Sequence, residues 1–175
     1  MAEEKIMYLA NYDSLTEIPN RSYLMKHLAS TLDNAHRGNF KFALMLFDID
    51  KFKSINDMYG HNSGDIALRE ASKIVQNAIR KVDFVARLGG DEFVIIQPYV
   101  KSIEDVSILA NRILEQFKTP IPIGNVALNI SISIGISLYP VDSTESDILM
   151  GFCDKAMYNA KQNGGNSFEF YSNIK

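Results

Sequence analysis

From Phe42 to Phe47 the chain is apolar at every position, and it then turns acidic at Asp48-Ile49-Asp50. A short apolar run ended by charge predicts a strand buried on both faces. A second rhythm runs over 128–138, where Leu128, Ile130, Ile132, Ile134, Ile136 and Leu138 alternate with Asn, Ser, Ser, Gly and Ser. That period of two predicts a strand with one apolar face and one small, polar face. Spacings of three and four mark the helices. Leu24, Leu28, Leu32 and Ala35 predict one over about 20–36, behind Pro19, and Ala67, Ala71, Ile74 and Ala78 one over about 63–81. Ile103, Val106, Ala110, Ile113 and Phe117 form a third, and Leu149, Phe152, Ala156 and Ala160 a fourth over about 144–162.

Between these elements, Phe84–Arg87 and Glu92–Ile96 flank Gly89-Gly90-Asp91, which reads as a β-hairpin. Residues 51–61 read as a loop or short helix, 168–171 as a last strand, and the first dozen residues as polar and unpatterned. The order is helix, strand, helix, hairpin, helix, strand, helix, strand. It predicts an α+β fold: a mixed, mostly antiparallel sheet flanked by helices, on a ferredoxin-like split βαβ core.

Composition narrows the class. At 175 residues, 46% apolar and 22% charged, the chain is one ordinary domain with a real core. No apolar run approaches the roughly 20 residues of a spanning helix, and no leader pattern opens the chain, so it is expected to be cytoplasmic. The single cysteine, Cys153, excludes an internal disulfide and a cysteine-based zinc cage. Eighteen basic against 21 acidic residues leave a formal net charge of −3, which argues against a nucleic acid polymer as partner. A small phosphorylated ligand that arrives with its own magnesium is compatible with it.

Candidate chemistry gathers at two strand ends. Asp48 and Asp50 close one strand, and Asp91 and Glu92 sit at the hairpin turn. If the two elements are neighbours, their carboxylates converge on one edge, a set suited to Mg²⁺. Aspartates also fill turns for local hydrogen bonding, and Gly89-Gly90 needs nothing beyond a tight turn to explain it. Lys51-Phe52-Lys53 could aim amides at a phosphate or be a solvated basic turn. Asn56 and Asp65 could read a guanine edge, or serve as a turn residue and a first-turn helix acid. Arg80 and Asp83, three apart, fit a surface ion pair on a helix, and Lys161 fits a favourable helix C-terminal charge.

Together the motifs resemble a known family. Arg87-Leu-Gly89-Gly90-Asp91-Glu92-Phe93 is similar to the signature of GGDEF domains, the diguanylate cyclases. Asp13-Ser-Leu-Thr-Glu-Ile-Pro-Asn-Arg21, Phe47-Asp-Ile-Asp-Lys-Phe-Lys53, Ile55-Asn-Asp-Met-Tyr-Gly-His61, Gly64-Asp65 and Asp154-Lys-Ala-Met-Tyr-Asn-Ala-Lys161 accompany it in order. The resemblance covers roughly residues 11–171, and it assigns 11–175 to the domain and 1–10 to a linker or remnant.

That resemblance implies a fold related to the palm of nucleotide cyclases and polymerases. It implies condensation of two GTP into cyclic di-GMP and two pyrophosphates, with two Mg²⁺ ions per site and Mn²⁺ as a possible substitute. Asp48, the Ile49 carbonyl and Asp91 would hold the ions, supported by Glu92. Asn56 and Asp65 would read guanine. The backbone of Lys51, Phe52 and Lys53, with the Lys53 and Lys161 side chains, would face the phosphates, and Gly89 and Gly90 would admit substrate close to the backbone. Asp91 or a metal-bound water would take the 3′-hydroxyl proton. Each domain would supply half a site, so a homodimer would be needed. Arg80 and Asp83 would form an inhibitory product site. One position departs from the pattern: Gly165 stands where the family commonly has a phosphate-clamping arginine. A sensor or receiver domain, usual in the family, is expected to be absent from this chain. A GTP- or cyclic di-GMP-binding receptor without turnover is the alternative.

Overall fold

The computed structural model describes residues 2–175. Five strands form one sheet in the order β2(Phe84–Gly89), β3(Glu92–Pro98), β1(Phe42–Ile49), β6(Ile132–Tyr139) and β7(Ser167–Phe170). All neighbours are antiparallel except β6 and β7. A separate two-stranded ribbon pairs β4(Ile121–Ile123) with β5(Val126–Leu128). The predicted α+β class and mostly antiparallel sheet are therefore present.

Strand β1 is buried at every position. Ala43, Met45, Phe47 and Ile49 enter one core, with α3(Phe52–Tyr59), α4(His61–Ala78) and α5(Ile103–Gln116). Phe42, Leu44 and Leu46 enter the other, with α2(Arg21–Gly38) and α6(Ser146–Gln162). The continuous apolar run thus reflects a central strand with a core on each side.

The polar face of β6 is buried too. Ser133 and Ser137 are fully buried, and α6 lies over them. A Cβ added to Gly135 would sit 1.9 Å from the Cys153 carbonyl oxygen and 2.3 Å from the Met157 nitrogen, so only glycine lets the helix seat this close. The Ser137 hydroxyl donates to the Leu149 carbonyl at 3.0 Å, and the Cys153 thiol to the Leu44 carbonyl at 3.1 Å. Burial pushes that thiol up to about 12, so it is inert packing.

Four expectations need correction. The first dozen residues are not featureless: Ala2–Asn11 form helix α1. Its last carbonyls are closed by Asn20, whose side chain donates to the Ala10 carbonyl at 3.1 Å and accepts from Tyr23 N at 3.1 Å as the cap of α2. The strand expected over 128–138 is broken, because residues 129–131 leave the ribbon and Ser131 accepts a hydrogen bond from Asp50 N at 2.9 Å before β6 begins. Strict alternation continues through that junction, so periodicity alone does not reveal it. The ribbon β4–β5 was not expected. Helix α4 ends at Ala78, so Arg80 and Asp83 lie in a turn and not on a helix face. Among the described residues, no helix is long and apolar enough to cross a membrane.

Candidate active site

The sheet does bring the acids together. Asp48, next to last in β1, pairs across the sheet with Glu92, the first residue of β3. Asp91 stands at the turn immediately before it, after Gly89 at φ 143° and Gly90 at φ 53°. Only glycine takes the first of these conformations readily. Asp48 is buried, and its Oδ1 has no hydrogen-bond partner, while its Oδ2 accepts from Lys161 Nζ. Burial pushes the Asp48 carboxyl up to about 6, against the pull of Lys161 and with a push from Asp91 and Asp50. Burial also raises Asp91, and it raises Glu92 together with the charges of Asp91 and Asp154. For Lys161 burial acts downward, but the pair with Asp48 outweighs it and holds the ammonium above its usual range. A concavity of about 400 Å³ opens here, lined by Asp48, Glu92, Asp154 and Lys161 among others.

An orphaned buried carboxylate oxygen inside an all-oxygen donor set fits a hard divalent cation. Among the described residues no three acidic, histidine or cysteine side chains form a ready-made metal group. A cation at Asp48 would therefore depend on the Ile49 carbonyl and on ligand oxygens to complete its shell.

Asp50 plays another part. Ser131 and Ser133 hydroxyls donate to it at 2.6 Å each, and Asn166 N at 2.9 Å. Its lone pairs are used to bracket the 164–166 turn against the end of β1, while its charge still reaches Asp48 and Lys161. Gly165, at φ 71°, lies against this bracket: an added Cβ would be 2.9 Å from Asp50 Oδ2. A side chain there would press on the carboxylate as well as strain the backbone.

Lys51 takes the left-handed conformation at φ 54° and precedes α3, whose first amides carry no side-chain cap. Asn56 on α3 lies against α4, where a Cβ on Gly64 would meet Asn56 Oδ1 at 1.9 Å. The missing side chain at 64 thus brings Asn56 beside the turn that carries Asp65. Both stand on the α3–α4 side of the sheet. Arg80 and Asp83 are a unit of their own: Asp83 has a fully buried side chain, accepts from Arg80 N at 2.7 Å, and holds the half-exposed guanidinium at 3.1 Å.

Two residues quoted within motifs but given no role prove central. Arg87 Nη1 donates to both oxygens of Asp13 at 3.1 and 2.9 Å, and its Nε and Nη2 donate to the Gly90 carbonyl at 3.0 and 2.7 Å. Asp13 also accepts from the Thr16 amide and hydroxyl at 2.9 and 2.7 Å. Burial alone would raise the Asp13 carboxyl, but Thr16 and Arg87 together hold it below its ordinary value. A forked, largely buried guanidinium thereby fastens the hairpin turn, one residue before Asp91, to the segment between α1 and α2. The two residues are 74 apart in sequence, and only a paired acid and base in two short motifs hinted at the contact.

Comparison with known proteins bears on this geometry. The family model described as "Diguanylate cyclase, GGDEF domain" matches residues 10–167. The signaling protein YkoW of Bacillus subtilis is 39% identical over 172 residues, 98% of this chain and 22% of its own length. The bifunctional diguanylate cyclase/cyclic di-GMP phosphodiesterase MucR of Pseudomonas aeruginosa is 38% identical over 170 residues, 97% of this chain and 25% of its own. This chain thus spans about a quarter or less of the length of these curated relatives. The solved GGDEF domain of TpbB from Pseudomonas aeruginosa superposes with a TM-score of 0.89 at 34% identity, covering 91% of this chain and 94% of that one.

Proposed function

This chain belongs to the GGDEF family, and from that premise we propose that it is a diguanylate cyclase half-site. Two GTP molecules are its substrates, and cyclic di-GMP and two pyrophosphates its products. In each of two equivalent steps a ribose 3′-oxygen bonds to the α-phosphorus of the other nucleotide, and the bond from that phosphorus to the bridging oxygen of the β-phosphate breaks. The observation that supports this reading best is the buried, unpartnered Asp48 Oδ1, set opposite Glu92 and beside Asp91 at one edge of the sheet.

Asp48, the Ile49 carbonyl and Asp91, with Glu92 behind them, are the candidate holders of two divalent ions, Mg²⁺ or in its place Mn²⁺. When bound, such ions ease formation of the 3′-oxyanion and balance charge on the leaving pyrophosphate. Asn56 and Asp65 orient guanine from the α3–α4 side. The uncapped amides of Phe52 and Lys53, with Lys51 in its left-handed turn, meet the phosphates at the start of α3. Lys53 and Lys161 add charge, and Lys161 leaves Asp48 for the phosphates. Gly165 supplies no clamp where an arginine is usual, which weakens hold on the terminal phosphates by about 1.5–3 kcal/mol and raises KM for GTP. Asp91, or a water on an ion held beside it, is the candidate acceptor of the 3′-proton. Because one domain offers one guanine site, turnover needs a two-fold pair of domains. Arg80, held out by Asp83, binds cyclic di-GMP as an inhibitor through its forked donors.

The test is to incubate concentrated protein with GTP and Mg²⁺ and to chromatograph for cyclic di-GMP and pyrophosphate. Both products are expected, with a rate that rises faster than linearly with protein concentration, and Arg80→Ala is expected to relieve inhibition by added product. Nucleotide binding without product at any concentration would establish the receptor reading instead, which the empty arginine position at Gly165 favours.

A further inference from the structure

Three motif residues to which the proposed half-site gives no task, or only a supporting one, meet around a second concavity. Arg21 closes the Asp13–Arg21 motif, Asp154 opens the one that ends at Lys161, and Glu92 stands between them. They line a cleft of about 340 Å³ between α2 and α6, walled by Met25, Leu88 and Met150. Glu92 and Asp154 also line the concavity at Asp48 and Lys161, so the two hollows adjoin along the Glu92 edge. The guanine candidates Asn56 and Asp65 are elsewhere: α3 and α4 cover one face of the sheet, whereas α2 and α6 cover the other. A nucleotide whose base lies on α3–α4 and whose phosphates lie at Lys51–Lys53 leaves this cleft open.

Resting on the cyclase reading, we propose that the cleft is the receiving subsite for the second nucleotide, the GTP presented by another copy of this chain, which enters ribose first. The chemistry of the walls matches that cargo. Glu92, Asp154 and a third lining carboxylate, Asp147, are acceptors for sugar hydroxyls, including the 3′-hydroxyl that must arrive beside Asp91. Met25, Leu88 and Met150 offer soft apolar contact to the sugar and the edge of the base. Arg21, exposed at the first position of α2, is the cation lining this cleft and makes no ion pair among the described residues. Its fork meets the phosphate oxygens of the incoming nucleotide. On this assignment Arg21 and Asp154 contribute nothing to holding the first GTP and act only when two loaded domains face each other.

The experiment separates the two nucleotides. Binding of a GTP analogue with a methylene bridge between its α- and β-phosphates is measured by calorimetry on dilute protein with Mg²⁺, and turnover of GTP is measured at saturating substrate. Arg21→Ala is expected to bind the analogue within about two-fold of the unmodified chain and to lose about 10–100-fold in kcat. Arg21→Lys, which keeps the charge without the fork, should recover part of that loss. Asp154→Asn should follow the same pattern more weakly. Asp65→Asn, in contrast, should lose the analogue itself. Turnover of Arg21→Ala within two-fold of the unmodified chain overturns the subsite. So does a fall in analogue affinity equal to the fall in turnover, which would place Arg21 on the first nucleotide. An unmodified chain that binds the analogue but makes no product removes the cyclase reading and the subsite with it, an outcome distinct from both.

Discussion

Asp48 and Asp50 leave the same strand two residues apart, and their surroundings could hardly differ more. Asp50 has three donors at 2.6–2.9 Å and closes the end of β1 against the 164–166 turn. Asp48 is just as firmly placed, yet one of its oxygens is buried without a partner. Hydrogen bonds to a carboxylate stabilise the fold that makes them, whereas an unsatisfied buried oxygen costs the fold something. Asp13, forked onto Arg87, is satisfied in the same way, and just beyond the clamp burial pushes the Asp91 carboxyl upward although backbone amides of Asp91 and Ile49 bond to it. The unpartnered oxygen of Asp48 thus stands two residues from an acid whose lone pairs are already taken.

The comparison can be broken most easily at its extremes. On the cyclase reading Asp91→Ala should abolish cyclic dinucleotide formation, by at least about 10³-fold, while thermal unfolding stays within a few degrees of the unmodified chain, because burial works against the charged form of this carboxylate. Asp50→Ala should do the reverse. Leaving two seryl hydroxyls and the Asn166 amide without an acceptor should cost about 2–4 kcal/mol, seen as a fall in the denaturant midpoint at unchanged m-value. If Asp50→Ala proved as stable as the parent but inactive, the assignment of the two aspartates would be the wrong way round.

A finer cut is Arg87→Ala. With the Gly90 carbonyl released and Asp13 unpaired, kcat should fall about 10–30-fold with little change in KM for GTP, since Arg87 bonds to the turn before Asp91 and not to Asn56 or Asp65, the proposed guanine readers. A KM effect of the same size as the kcat effect would show that the clamp supports binding instead.

The smallest effect concerns pH. Asp48 titrates at about 6 in the fold against 3.8 for an unperturbed aspartate, so the folded state holds its proton more tightly. Its contribution is fully present below about pH 4 and is lost as pH rises through 6. Asp48→Asn should therefore be more stable than the parent at pH 7 by about 1 kcal/mol, a Tm rise of about 2–4 °C, and the advantage should vanish below pH 4. A flat difference across that range would mean that the Lys161 pair already cancels the cost of burial.

Much of this was legible in the sequence, and what was not shares a cause. The unbroken apolar run of β1, the glycine hairpin and the four amphipathic helices follow from local pattern, and all are present. So is the meeting of Asp48 with Asp91 and Glu92, because it needs only two adjacent strands that end at one edge. Helix α1 is not legible in the sequence because its exposed Ile6, Met7 and Leu9 lie among polar residues without a clear stripe. The break at 129–131 is hidden by an alternation that does not stop there. The Asp13–Arg87 clamp and the Asp50 bracket join residues 74 to 116 positions apart, and no spacing rule reaches that far.

The seat at Gly135 has a bearing on how this chain can vary. With no Cβ beneath it, α6 rests directly on the sheet, and that contact sets its height and its rotation. Asp154 and Lys161 are then marks on a ruler, seven residues or about 10 Å apart along the axis, both measured from the same notch. Most outward-facing positions on α6 should accept almost any substitution. A single residue inserted between the notch and Lys161 would swing the ammonium by about 100° around the helix and carry it off the acids. Length, more than composition, is what this helix has to keep.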